Sequence, residues 1–261
     1  MISNIHTHTY RCMHAVGTEK DYVEAAVKAE MKMLGFSDHG PFPDKDFGLR
    51  MKFGELEDYI SEIGRLKEMY ADTLKIFSGL EIEFHAEYID YYKQLTSEYG
   101  LDYLLLGEHM YTTSDGSVKN IFFAEKTDDY IEYAENISYA AETGLFHAIA
   151  HPDLMFINEL AWDKNCEKAC DIILSAAEKY DIPLEFNANG IRRGIMTFPD
   201  EQRFPYPHDG FWRNLCGSRQ RVFIGADCHI PEQLNDSAIM LAQQMCKGLK
   251  LNLIDNILEV K

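Results

Sequence analysis

Cationic side chains are scarce in this chain. Lys and Arg number 25 against 43 Asp and Glu in 261 residues, a formal net charge of −18. Such a chain repels nucleic acid and anionic membrane, and no local basic cluster offsets the excess, so neither is an expected partner. Cysteine is sparse and scattered, at 12, 166, 170, 216, 228 and 246, which excludes a small disulfide-framed scaffold. Cys166 and Cys170 share a helix face at i, i+4, but no histidine or further cysteine stands beside them to complete a metal site. Long apolar runs are missing: none approaches the ~20 residues of a membrane span, and no secretory leader precedes His6. A reduced, cytoplasmic protein with free thiols is the expectation. Repeats, linkers and low-complexity segments are also absent, so residues 1–261 are expected to form one domain, with 46% hydrophobic residues to supply its core.

What the sequence does contain is a recurring event. A short apolar run ends, and a histidine, often beside a carboxylate, stands at its end. The runs end at His6 and His8, at Asp38 and His39, at Glu108 and His109, at His151 and Asp153, and at Asp227 and His229, while Glu81 lies inside another such run. Runs of this length between helical patterns read as buried parallel strands. The strands are expected at 2–9, 33–38, 75–84, 103–109, 146–151, 183–187 and 221–228. Helices are expected at 21–32, 55–70, 88–99, 128–143, 166–180 and 209–219, and from Pro231 to about 249. In the second, Leu56, Ile60, Ile63 and Leu66 form one apolar stripe. Seven strands, each followed by a helix, predict an α/β fold, a distorted (β/α)7 barrel, whose strands converge at one C-terminal face. An open doubly wound sheet is the rival, but it would draw ligands from the strands around one switch point.

Imidazoles and carboxylates gathered on one face are ligands for divalent metals. His6 and His8 alternate along a strand and so point to one side. Asp227 and His229 repeat that spacing. Glu81 stands in Gly-Leu-Glu-Ile-Glu, where a buried carboxylate must be paired or coordinated. His14 falls in a loop, where the strand pattern assigns it nothing. His85 could line the site or face solvent, and His147 begins a strand, at the structural end of the barrel. The longest irregular stretch, 188–208, carries Arg192, Arg193 and His208; loops this long in compact domains are functional as a rule.

In order along almost the whole chain, HTH (6–8), SDH (37–39), GLEIE (79–83), GEH (107–109), AHPD (150–153) and ADCH (226–229) resemble the PHP superfamily, named for polymerase and histidinol phosphatase. DHGPFP (38–43), EFNANGIRRG (185–194) and PYP (205–207) are most similar to its monofunctional histidinol-phosphate phosphatases. The resemblance implies three divalent ions, of Zn, Fe or Mn. The first is held by His6, His8, Glu81 and Asp227, the second by Glu81, His109 and His151, and the third by His14, His39 and His229. Two positions depart from the pattern, Glu108 before His109 and Cys228 where alanine is common. The implied reaction is hydrolysis of a small phosphomonoester, L-histidinol phosphate, by a metal-bridging hydroxide, in histidine biosynthesis. Glu81 and Asp227 would organise that site. Arg192 or Arg193, one of them pointing inward, would grip the phosphate, and Asp153, His208 or a metal-bound water would protonate the leaving oxygen. Glu83, Asn187 and Phe42 would suit an amine and an imidazole. The rivals are a phosphoesterase of the same superfamily acting on another monoester or a nucleotide-derived diester, a non-catalytic polymerase-linked module, and an amidohydrolase-type barrel. The complete ligand set speaks against the second. The lack of a strand-terminal lysine speaks against the third.

Overall fold

The computed structural model describes residues 2–258. Eight strands form one parallel sheet: β1 (Ser3–Asn4), β2 (Met33–Phe36), β3 (Lys75–Ile82), β4 (Tyr103–Leu106), β7 (Ala148–Ile149), β8 (Leu184–Asn187), β11 (Arg221–Gly225) and β12 (Asn252–Leu253), hydrogen-bonded in that order. Two antiparallel hairpins lie outside it, β5 (Met110–Thr112) with β6 (Val118–Asn120), and β9 (Met196–Thr197) with β10 (Gln202–Arg203). The main helices are α1 (Glu19–Lys28), α2 (Leu56–Met69), α3 (Ile89–Ser97), α4 (Asp128–Glu142), α5 (Lys164–Lys179) and α8 (Ser237–Gly248), with the short α6 (Ala188–Arg192) and α7 (Asp209–Trp212) between. No helix among the described residues is long and apolar enough to cross a membrane.

Local chemistry sets the helix ends. Thr18 and Asp21 form a reciprocal capping box at the start of α1. Asp163 accepts the Asn165 and Cys166 N–H groups to open α5. The α2 stripe lies against the core through Leu56, Tyr59, Ile63 and Leu66. The α5 stripe buries Cys166 and Cys170, which are free thiols in a packed face.

Period-two alternation divides the strands between two cores. Leu104 and Leu106 of β4 face the helices, in the larger cluster, whereas Tyr103 and Leu105 face the sheet's concave side with Ile5, Ala148 and Phe223. By the same alternation Leu80 and Ile82 turn to the helices, which sends Glu81 to the concave side. Leu184 and Phe186 do likewise and send Glu185 and Asn187 inward.

The sheet is curled so far that its ends approach each other. Thr7, beyond β1, pairs in parallel with Cys228, beyond β11, and the His8 N–H reaches the Cys228 carbonyl at 3.0 Å. At the opposite end β12 pairs with β11 instead. The segment after β12 then enters the concave core, where Ile257 is buried beside Ile254 and Leu258. Eight strands rather than seven is therefore the first departure from the sequence pattern. The second is strand length. Six of the seven expected strands stop short at their C-terminal ends, the one at 184–187 excepted, and residues beyond several of them leave the sheet to turn side chains into the site.

The tail segment gives a direct test. Truncating Ile257 to Ala opens a void in a packed concave core, so the unfolding free energy should fall by about 2 kcal/mol or more. Denaturant unfolding of the two proteins measures it. A loss under about 0.5 kcal/mol, the range of a surface substitution, would show that the segment does not plug the sheet.

Candidate metal centre

Glu81 is the hub of the site. It is 1% exposed, and its two oxygens face different groups of imidazoles. Oε2 lies 3.2 Å from His6 Nε2, 3.3 Å from His8 Nε2 and 3.0 Å from His39 Nδ1. Oε1 lies 2.6 Å from His151 Nε2 and 3.5 Å from His109 Nε2. Asp227 completes the first group, 3.2 Å from His8 Nε2 and 3.7 Å from His6 Nε2. Beside it, His14 and His229 present their Nε2 atoms to each other at 2.9 Å, and His39 joins them within ligand reach. His151 and Asp227 sit at φ 27° and 43°, a left-handed conformation costly for residues other than glycine. Such strain collects at functional sites, and here it turns two candidate ligands out of their strands.

The hydrogen bonds around the cluster fix which nitrogens are free. His14 Nδ1 is 2.8 Å from the Cys12 carbonyl and His229 Nδ1 is 3.2 Å from the Asp227 carbonyl. A carbonyl only accepts, so both Nδ1 atoms donate and both Nε2 lone pairs face one another. His6 Nδ1 is likewise committed to Glu185 at 2.6 Å, and His6 Nε2 faces His8 Nε2 at 3.1 Å. Lone pairs opposed at such distances need a cation between them. Two ligands on a tetrahedral ion with bonds of about 2.0–2.1 Å are separated by roughly 3.3 Å. The spacings of this cluster match that value. Glu81 Oε2 has no hydrogen-bond partner, although three ring nitrogens surround it. The residues fit divalent metal ions.

Titration behaviour agrees. Burial drives the His39 pKa well below its ordinary value and, with the His8 ring beside it, the His229 pKa down to about 3; burial also lowers that of His14. All three are therefore neutral, the form that binds metal. Burial would lower His6 and raise Glu81 and Asp227, but their mutual attraction wins. His6 is raised well above its usual value, while both carboxylates are held far below theirs. A metal bound here would compete with a proton for His6.

A ring of supporting carboxylates holds the imidazoles. Glu185, fully buried, binds His6 Nδ1, accepts the His151 N–H at 2.8 Å and accepts from Asn187 Nδ2 at 2.9 Å. Glu83 receives Arg50 in a bidentate pair at 2.8 and 2.9 Å and faces His109 Nδ1 at 3.4 Å. Asp38 accepts both the N–H and the hydroxyl of Thr9 at 2.8 Å, fixing the turn after His8. Glycines make room for these groups. A Cβ on Gly107 would meet Glu81 at 2.3 Å, and one on Gly225 would meet Glu185 at 1.5 Å. Glu185 and Arg50 were not singled out from the sequence. The available signal for Glu185 was its alternation with Asn187 inside an apolar strand.

Two expected roles are corrected, and one open choice is narrowed. Arg192 does not line the cavity into which the cluster opens. Its Nε donates to Asp236 at 2.7 Å, its Nη2 to the Gln233 carbonyl at 2.9 Å, and it also holds the Ala226 carbonyl. Asp236 in turn caps α8, so Arg192 ties α6 to α8. Successive residues of a helix point about 100° apart, and Arg193 is the one that lines the cavity. Asp153 is buried and accepts the His208 N–H at 2.7 Å and the Trp212 indole N–H at 2.9 Å. His208 stacks on Trp162, ring centroids 4.8 Å apart. Neither lines the cavity, so neither is placed to protonate a leaving group. The reason is backbone: the chain turns at His151 into a 3-10 helix (Leu154–Ile157), and strand alternation no longer carries Asp153 toward the ligands. Of the three side chains suited to an amine and an imidazole, Glu83 lines the cavity while bound to Arg50. The other two do not line it: Asn187 is bound to Glu185 and Asp227, and Phe42 is packed beside Tyr88. His85 is buried against Phe47.

A histidine–carboxylate cluster gathered at the C-terminal ends of a curled parallel sheet is the arrangement of metal-dependent hydrolase sites. The PHP domain matches residues 4–189, and the chain belongs to that family. It is 35% identical over 237 residues to a probable histidinol-phosphatase of Deinococcus radiodurans, covering 88% of this chain and 86% of the relative. It is 28% identical over 219 residues to a histidinol-phosphatase of Bacillus subtilis, covering 72% and 81%. Its fold is similar to that of histidinol phosphate phosphatase from Lactococcus lactis, solved with zinc, L-histidinol and phosphate (TM-score 0.71, 17% identity, 97% of this chain and 95% of that one). A putative histidinol phosphatase from Listeria monocytogenes is similar too (TM-score 0.72, 18% identity, 90% and 98%).

The role of Glu185 is testable. Glu185→Gln keeps the shape but removes the charge that holds His6, so metal affinity should fall about 10–100-fold, as for other carboxylates behind ligating histidines. Competition with a chromophoric chelator reads this out. Unchanged affinity would show that Glu185 only fills space.

Proposed function

We propose that this chain hydrolyses L-histidinol phosphate to L-histidinol and inorganic phosphate, as a step of histidine biosynthesis. The observation that carries this reading is the convergence, in one cavity, of the histidine–carboxylate cluster and a guanidinium with uncommitted donors, in a chain 35% identical to a probable histidinol-phosphatase across 88% of its length. Residues 1–261 act as one unit, seven strand–helix repeats of a distorted barrel with β12 as an accessory strand.

Three divalent ions, of Zn, Fe or Mn, are assigned to the cluster. His6, His8, Glu81 and Asp227 would hold the first, Glu81, His109 and His151 the second, and His14, His39 and His229 the third. When bound, such ions supply Lewis acidity toward phosphoryl oxygens and toward an attacking water. Everything else falls to the chain itself. The cavity holds about 590 Å³, ample for a small phosphomonoester. Arg50 and Arg193 are the cations of its described lining, and Arg50 is consumed by Glu83 and by the Gly40 and Gly48 carbonyls. Arg193 donates Nε–H to the Tyr206 hydroxyl at 3.3 Å and keeps its terminal N–H groups for phosphoryl oxygens, which a guanidinium meets in a two-pronged geometry. Asn189 steadies Asp227 through an amide hydrogen bond of 3.2 Å. Glu185 and Glu83 keep His6 and His109 in the tautomers that leave Nε2 free.

The adjacent arginines separate site from scaffold. Arg193→Ala should lower kcat/KM for histidinol phosphate by about 10²-fold with metal content intact, the loss expected when a positioned charge is removed from a transition state. Arg192→Ala should instead lower the melting temperature, because it leaves Asp236 without its cation. Phosphate release across a panel of phosphomonoesters and aryl diesters, with metal analysis of the same samples, tests the reading as a whole. Faster turnover of diesters than of histidinol phosphate would overturn the substrate, and equal kinetics for Arg193→Ala and the parent would remove Arg193 from phosphate binding.

A further inference from the structure

We propose that Leu49 and Phe123 form a two-sided clamp for a flat ring on the leaving group. The inference rests on the phosphatase reading above and gives the cavity a second subsite. The two residues come from different loops, Leu49 from the segment after β2 and Phe123 from the 3-10 turn after β6, and both line the cavity that holds the candidate ligands. Phe123 is 77% exposed and Leu49 61%, so each holds a large apolar side chain in water. Apolar surface concentrated at a cavity mouth marks a place where something apolar binds.

Neither exposure comes from a loose loop. Gly48 and Leu49 are consecutive left-handed residues, φ 75° and 38°, a conformation that disfavours leucine. It is enforced from the next position. Arg50 is buried, holds Glu83 through both terminal nitrogens, and donates to the Gly48 and Gly40 carbonyls at 3.2 and 3.1 Å. Leu49 is thereby turned out against its backbone preference. On the other side Asn120 accepts the Phe122 N–H at 2.9 Å, Ile121 is fully buried, and the Phe122 ring lies parallel to His109 at 5.9 Å. These anchors fix the turn that presents Phe123. Strained or exposed side chains on anchored backbone are prepared for a contact that folding alone does not supply.

The phosphoryl end of a substrate is directed to the cluster and Arg193, which leaves the leaving group to the apolar part of the lining, where Leu49 and Phe123 stand out in exposure beside Phe47, Met110, Phe122 and Leu154. A planar ring offers a face to Phe123 and an edge to Leu49, and aromatic pairs gain beyond simple burial. A short aliphatic amine offers neither. The clamp thus selects ring-bearing leaving groups, such as the imidazole of histidinol, over ring-free ones.

The test uses the metal-loaded full chain and the double variant Leu49→Ser, Phe123→Ser, both exposed positions. Three probes are compared: histidinol phosphate, 2-phenylethyl phosphate and ethanolamine phosphate. The clamp requires the kcat/KM ratio of each ring-bearing probe to ethanolamine phosphate to fall roughly tenfold in the variant. Product inhibition by L-histidinol should weaken by a similar factor, while inhibition by inorganic phosphate and metal content hold. A parallel fall for all three probes, or unchanged ratios, overturns the clamp. If the parent protein turns over 2-phenylethyl phosphate but not histidinol phosphate, the substrate reading fails; the ratio for the phenyl probe then still decides the clamp.

Discussion

A carboxylate sealed inside a protein and surrounded by ring nitrogens on both of its oxygens cannot persist without positive charge. Glu81 is in that position, with His6, His8 and His39 on one oxygen and His109 and His151 on the other. Desolvation alone would protonate it, and the histidines around it reverse that outcome. The geometry that brings them together depends on the curl of the sheet. β3 supplies Glu81 from its interior, while the histidines come from beyond the ends of their strands. A flat sheet would spread the same residues along one edge. The curl brings the extensions of β1 and β11 into contact at Thr7 and Cys228, and this places His6 and His8 beside Asp227.

The cost of burying so many polar groups is met outward from the hub. Four imidazoles are fixed through Nδ1, His6 by Glu185, His109 by Glu83, and His14 and His229 by backbone carbonyls, whereas Nδ1 of His8 and of His151 has no hydrogen-bond partner. The supporting carboxylates are themselves satisfied, Glu83 by Arg50 and Glu185 by Asn187 and the His151 N–H. Such a network is rigid because removing any member leaves a buried charge without a partner. It also explains why glycine stands at 107 and 225, where a side chain would occupy the space of a carboxylate. Next to Asp227, Arg192 holds the Ala226 carbonyl and joins α6 to Asp236 at the α8 cap.

Much of this was legible from residue pattern, and the failures have a common cause. The parallel strands, their order and the convergence of their ends follow from short apolar runs between helical stripes. Alternation works only while the chain remains a strand. In β3 it sends Glu81 to the concave side, and in β8 it contains the signal for Glu185. Where the backbone turns early, at His151, it misdirected Asp153, and in the first loop it was silent on His14. Strand β12 is two residues long with no apolar period of its own, and only the β11 edge gives it a partner. The adjacent Arg192 and Arg193 are indistinguishable by composition, and a single helical step separates a scaffold tie from a cavity cation. The β5–β6 hairpin, which leads into Phe122 and Phe123, carries no strong strand pattern.

The proposed sharing of Glu81 between two ions is the centre of this account, and metal binding to Glu81→Gln tests it most directly. Glutamine keeps the volume but supplies one neutral acceptor oxygen in place of a charged pair. Element analysis and calorimetric titration of the variant should show both ions that share Glu81 lost or weakened together, with binding at His14, His39 and His229 retained. Weakening of one ion alone, or a full complement bound with the parent's affinity, would contradict it.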